Sequence, residues 1–279
     1  MSHTYASVAA FRDYIRDNGS SETATNDALL LGFLEAASRK VDDYCDRSRY
    51  GSGFGPRIGT NRYSTRGDTL LELRDDILTV TSVTTQDWPG GTTHSLTEDT
   101  DYYTAPDAQT QKRQLSLTWL GIAGFGWGQR GCTVAGVMGF SNDTVAVNAT
   151  VASGLSSGTT ATTFVTSASP DVSPGQTLYI GTEQLYLRAL SGTQATVTRG
   201  ANGTTAATHV DTSAIAVFTY DPRVVDATLQ VALRRFKQRD AGASGAYGGG
   251  TFPESANVPL SELTILNATV GSLRINPYA

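Results

Sequence analysis

The chain has 279 residues, 39% of them hydrophobic and 17% charged, and a formal net charge of −5. That length can bury one sizeable core or two smaller ones. The acidic balance and the lack of any basic run argue against tight phosphate binding, which takes a basic face, although such a chain can line a channel through which DNA slides.

The first elements are helical. Val8, Phe11 and Ile15 recur at helical spacing until Asn18-Gly19 stops the pattern. A longer helix is predicted over 25–46, where Leu30, Phe33, Leu34, Ala37, Val41, Tyr44 and Cys45 make one apolar stripe. A Gly-rich turn at 51–59 leads into β patterning, with strands predicted at 69–73, 77–83, 102–103, 114–119 and 132–140. Trp88-Pro89-Gly90-Gly91 reads as a tight turn, and 121–128 as a mobile hairpin tip or contact loop. Ser, Thr, Gly and Ala dominate from about 145 to 216, with short strands at 163–166, 177–180, 184–190 and 194–198 and a turn at Ser191-Gly192. Asp221 and Pro222 then open a helix whose buried stripe is Val225, Thr228, Leu229, Ala232 and Phe236. Beyond Gly248-Gly249-Gly250 the remainder reads as a tail with a few strand-like pieces.

The expected fold class is α+β: a small helical bundle with hairpins and strands, an inserted all-β module and an extended C-terminal arm. The expected partition is a helical core with strands (1–147 and 219–247), the β module (148–218) and the arm (248–279).

Motifs for chemistry are sparse. Cys45 and Cys132 are far apart in apolar surroundings and read as buried free thiols, with no zinc spacing. The chain opens directly into a helical pattern, and no signal segment or membrane-spanning stretch is read, so a protein folded in a cytoplasm is expected. The sequons at Asn142, Asn148, Asn202 and Asn267 are then chance matches. The glycines of 121–128 lack the Lys-Ser/Thr of a phosphate loop, and Arg66-Gly67-Asp68 reads as a turn. His3, at a frayed end, His94 and His209 belong to different segments. Asp42-Asp43 and Asp75-Asp76 are adjacent pairs read as solvated. Strand neighbours point to opposite faces, which makes Asp75-Asp76 a poor acid/base pair. No enzyme, cofactor or metal site is expected.

Four segments carry a resemblance. They are 29–50 (LLLGFLEAASRKVDDYCDRSRY), 69–84 (TLLELRDDILTVTSVT), 100–103 (TDYY) with 132–140 (CTVAGVMGF), and 221–240 (DPRVVDATLQVALRRFKQRD). In pattern and order the chain resembles the head-to-tail adaptor, or connector, proteins of long-tailed phages. The segment 189–209 (ALSGTQATVTRGANGTTAATH) resembles small β modules of other phage structural proteins, and its role is not carried over from the adaptor family.

The resemblance implies a structural virion protein in the head–tail neck, assembled in the host bacterial cytoplasm. It implies a homo-oligomeric ring, usually twelvefold, beneath the portal protein. Such a ring extends the DNA channel without sequence-specific contact to the genomic DNA and serves as platform for a stopper or tail completion protein. No membrane partner is expected. Candidate partner contacts are Phe125 and Trp127 as exposed anchors and the basic cluster Arg234, Arg235, Lys237 and Arg239. The arm residues Leu263, Ile265, Leu273, Ile275 and Tyr278 complete the set. The cluster also suits the helix dipole at that end. A carbohydrate-binding or host-adhesion β protein is the alternative. It calls for clustered exposed aromatics on the β module, which offers Phe164, Tyr179, Tyr186, Phe218 and Tyr220.

Overall fold

A computed structural model of the chain describes residues 3–18, 26–47, 53–118, 124–156, 158–243 and 261–274. They form two compact units, Met1–Asp46 with Asp143–Arg274, and Arg47–Asn142. Helix α1 (Val8–Asp17) starts where the Ser7 hydroxyl accepts from the Ala10 amide at 3.2 Å, and it buries Val8, Phe11 and Ile15 as the spacing predicts. Helix α2 (Asp27–Tyr44) is capped by Asn26, which accepts from the Ala28 amide at 2.9 Å. Asp27 in its first turn complements the helix dipole. Leu30, Leu34, Ala37 and Val41 lie on its buried face, followed by the buried thiol of Cys45.

The second unit is an antiparallel sheet. Its strands are β1 (Arg57–Arg66), β2 (Leu70–Gln86), β3 (Thr93–Leu96), β4 (Tyr102–Ala105), β5 (Lys112–Leu117) and β6 (Trp127–Met138). They run in the order β1-β6-β2-β5-β4, with β3 also paired to β2. Tyr63, Val83, Leu115, Phe125, Cys132 and Val134 are among the residues of its core. The sequence predicts two strands at 69–73 and 77–83, whereas β2 is continuous. Its pairing with β5 shifts between Glu72 and Ile77, and this irregularity breaks the alternation that would have marked one strand. Strand β1 begins inside the predicted Gly-rich turn at 51–59 and is not among the predicted strands.

Strand β6 begins inside the predicted loop at 121–128. The glycines there serve close approach: a Cβ on Gly126 would lie 1.3 Å from the Gln86 carbonyl oxygen. Burial pushes the free Cys132 thiol up to about 12.

In the first unit, β7 (Thr144–Ser153), β8 (Thr163–Thr166), β9 (Thr177–Ile180), β10 (Glu183–Ser191), β11 (Gln194–Thr198) and β12 (Ala214–Phe218) close into a barrel. The order is β10-β11-β8-β7-β12-β9. Its interior holds Val151, Phe164, Leu178, Leu185, Val197 and Ile215, among others. Gly192, at φ 59°, supplies the left-handed residue of the two-residue turn between β10 and β11. Thr144 pairs with Phe218, so the chain enters and leaves the barrel at neighbouring points.

Helix α3 (Pro222–Ala243) follows, with the Asp221 carboxylate accepting from the Arg223 amide at 2.9 Å. It buries Val224 rather than Val225, then Thr228, Leu229, Ala232 and Phe236. The Phe236 ring meets Phe11 and Phe33 edge-on at 6.4 and 6.1 Å.

Helix α4 (Glu262–Val270) packs on α2 and α3 and buries Ile265, Leu266 and Val270. Strand-like pieces were expected here. The Ser261 hydroxyl instead caps a helix by accepting from the Thr264 amide at 3.1 Å. The described part of the expected arm, 261–274, thus belongs to the first unit, while 248–260 and 275–279 lie outside the described residues.

The α+β class stands, with helices, a sheet and a closed barrel. The partition differs from the expected one: the barrel groups with the helices, and the sheet forms the other unit. The cause is local. The Val8 amide donates to the Pro174 carbonyl at 2.9 Å, the Thr4 hydroxyl to the Gly175 carbonyl at 2.7 Å, and Arg188 pairs with Glu35 at 2.8 Å.

Candidate functional site

Three buried polar assemblies lie within the units, two in the first and one in the second. The deepest is in the barrel, where Glu183 has no exposed side-chain surface. Its carboxylate accepts from Arg199 Nε and Nη2, both at 2.7 Å, from the Gly200 and Ala207 amides at 2.9 and 3.0 Å, and from His209 Nε2 at 2.8 Å. Burial alone would raise its pKa; the Arg199 guanidinium, the two amides and His209 outweigh that and hold it at about 2. This network ties β10 to the segment 199–209.

The second assembly surrounds the N-terminal segment. His3, expected at a frayed end, is buried, with ring nitrogens 3.2 Å from Asn202 Oδ1 and from the Tyr5 hydroxyl. Tyr5 donates to Asp42, and Arg39 lies 3.1 Å from the same carboxylate. Burial, reinforced by Arg39, lowers His3 to about 3, so it is neutral at physiological pH. Asp42 was read as solvated and is buried.

The third lies in the sheet unit. Arg47 and Asp76 have no exposed side-chain surface and pair at 2.7 Å. Arg113 adds a second cation to Asp76, and the Arg47 guanidinium sits 4.4 Å from the Phe54 ring centroid. Asp75 is buried as well and accepts from Asn61 at 2.9 Å. The solvated turn expected at Asp75-Asp76 is therefore a buried stretch of β2, at the irregularity that turns consecutive residues inward.

The expected contact residues fare unevenly. Phe125 is fully buried in the sheet core and anchors no surface, because its amide donates to the Asp68 carbonyl at 2.8 Å and draws it inward. Trp127, two residues on, is 64% exposed. The basic cluster is dispersed by local partners. Arg235 pairs with Glu262 at 3.0 Å, Lys237 reaches the Asn18 carbonyl at 3.5 Å, and Arg239 lies 5.3 Å from the Phe236 ring centroid. Arg234 is half-buried and also engaged. Ile265 and Leu273 are core residues of the first unit, since the helical turn directs them inward, whereas Leu263 is 65% exposed. Ile275 and Tyr278 lie outside the described residues.

Among the exposed apolar side chains that sequence reasoning missed are Val210, 72% exposed, and Trp88, 60% exposed in the turn after β2. Beside this turn is a polar cleft of about 360 Å³ lined by Arg62, Gln86, Thr93, Arg130 and Thr133, among others. On the barrel, Phe164, Tyr186 and Phe218 are buried, and Tyr179 and Tyr220 half-buried. The aromatic platform that a sugar-binding barrel would display is not built from these residues. Among the described residues no helix is long and apolar enough to cross a membrane, and no group of three His, Cys, Asp or Glu is arranged to hold a metal ion.

No protein-family model matches the chain, and no curated protein matches it. A solved chain from the "Neck of empty GTA particle computed with C6 symmetry" is similar at 12% identity, over 98% of this chain and 90% of that one, with a TM-score of 0.39. A likeness at that level assigns no role.

Proposed function

We propose that this protein is a structural component of a phage neck, a head-to-tail adaptor whose copies form a ring beneath the portal. The observation that carries the reading is where the four resembling segments fall. They fold as α2, β2, β4 with β6, and α3. These are the central helix pair of one unit and the middle strands, with one edge, of the other. The resemblance therefore rests on the elements that organise both units, not on surface turns. The three buried polar assemblies link neighbouring elements within each unit, which suits a rigid building block that works by position without carrying out a reaction. The ring, of about twelve copies, would leave a channel for the genome and present a platform to a stopper or tail completion protein.

Docking tests it. Purified protein mixed with tailless, DNA-filled heads bearing the portal of the same phage is expected to co-sediment with them, and not with heads lacking the portal. Equal sedimentation with both, or with neither, contradicts an adaptor role.

A further inference from the structure

The strand path β1-β6-β2-β5-β4 of the sheet unit ends in two edges of opposite charge. Among the described strands β1 pairs with β6 and β4 with β5, and each ends the strand path on one side; β4 also carries an isolated parallel bridge from Tyr102 to Glu98. Strand β1 (RIGTNRYSTR) has three arginines and no carboxylate. Arg62 and Arg66 are exposed and have no carboxylate partner among the described residues. Ile58 is exposed on the same strand, and Trp127, the first residue of β6, pairs with Arg66 and lays its exposed indole against Gly67.

At the other edge, residues 97–107 (TEDTDYYTAPD) carry Glu98, Asp99, Asp101 and Asp107 and no base. None of these four pairs with a cation among the described residues. Tyr103, on β4, is 54% exposed. The carboxylates are felt locally: burial first, then Glu98 and Asp99, push the Tyr102 hydroxyl up to about 12.

Charged residues on edge strands commonly prevent sheets from joining. That protection needs like charges wherever two edges would meet. Here the edges are of opposite sign, which repels like edges and attracts unlike ones. The geometry points to a head-to-tail contact in which the β1 edge of one copy, with Arg62, Arg66 and Trp127, receives the acidic 97–107 edge of a second copy. Every neighbouring pair in the order β1-β6-β2-β5-β4 is antiparallel, so β1 and β4 run the same way. Two copies related by rotation about an axis along the strands would meet with these strands parallel, in a short pairing confined to the part of β4 beyond the Tyr102–Glu98 bridge. Specificity then comes from the charged flanks, and affinity from the Trp127 and Tyr103 anchors. A contact between two different faces repeats from copy to copy and closes into a ring when the rotation allows. The inference rests on the ring reading and names the surfaces that make it.

The test is charge reversal followed by sedimentation velocity. Arg62→Glu with Arg66→Glu makes both edges acidic; Glu98→Lys with Asp99→Lys and Asp107→Lys makes both basic, since only Asp101 is then left against three lysines. All five positions are exposed, so the fold should tolerate the changes. Each of these variants is expected to sediment as a monomer where the wild type is oligomeric. The combined variant, with both signs exchanged, is expected to recover the oligomer, and wild-type assembly should weaken as salt rises. An oligomer that persists in either charge-reversed variant, or a combined variant that stays monomeric, overturns the edge contact and leaves the ring reading standing. A wild type monomeric up to its solubility limit overturns the ring reading and this contact with it.

Discussion

Glu183→Gln removes one charge from a carboxylate that has no exposed surface and accepts from Arg199, Gly200, Ala207 and His209. The wild-type carboxyl is held at about 2 against an ordinary 4.5. At about 1.4 kcal/mol per tenfold change in proton affinity, this depression corresponds to about 3 kcal/mol of folding stability. Breaking a buried ion pair by removing one partner, here leaving Arg199 uncompensated, costs about 3–5 kcal/mol, in agreement. Because the folded value lies below the unfolded one, the contribution is complete above pH 4.5 and is lost as the pH falls from 4.5 towards 2.

The assay is urea unfolding followed by helical circular dichroism, because α1–α4 all belong to the unit that contains the barrel. Trp88, Trp119 and Trp127 all lie in 47–142, so tryptophan fluorescence follows the sheet unit instead. The variant should lose about 3 kcal/mol at pH 7, and its deficit against wild type should shrink steadily below pH 4.5. Equal stability at pH 7, or a deficit that stays constant as the pH falls, would refute the assignment of Glu183 as the charged staple of the barrel.

Asp76→Ala strands Arg47 in a fully buried site and should cost the sheet unit about 3–5 kcal/mol, read by tryptophan fluorescence; an unchanged urea midpoint would contradict a structural role for the pair. Leu34→Asp places a carboxylate on the fully buried face of α2 and should cost several kcal/mol, enough to prevent folding. Soluble, assembled Leu34→Asp protein would show that this stripe is not core. Trp127→Ala should change monomer stability by no more than about 0.5 kcal/mol, as exposed sites do, while weakening self-association in sedimentation; intact association would remove the indole from the contact.

Much of the architecture was legible because it rests on local signals. The apolar stripe from Leu30 to Val41 marks α2, and Asp221-Pro222 marks the start of α3. The four predicted strands at 163–166, 177–180, 184–190 and 194–198 each fall on a barrel strand, because turn residues bound them on both sides. What local signals do not encode is which distant group meets which. Asp75-Asp76 looks solvated until Arg47 and Arg113 are brought to it across the sheet. His3 looks terminal until Asn202 covers it. Phe125 among glycines resembles an exposed tip, yet those glycines allow a close backbone approach that buries it. The strand-like apolar pieces after 260 form α4 because Ser261 caps them and α2 and α3 offer a surface to cover. The opposed charges of the two sheet edges were likewise hidden, since only the strand order shows that β1 and β4 are the ends.

The most direct test of the central claim is the native mass of the purified protein. The account predicts a narrow closed species at about twelve times the 29.5 kDa chain mass. A monomer at every concentration, or an open-ended ladder of masses without closure, would contradict it.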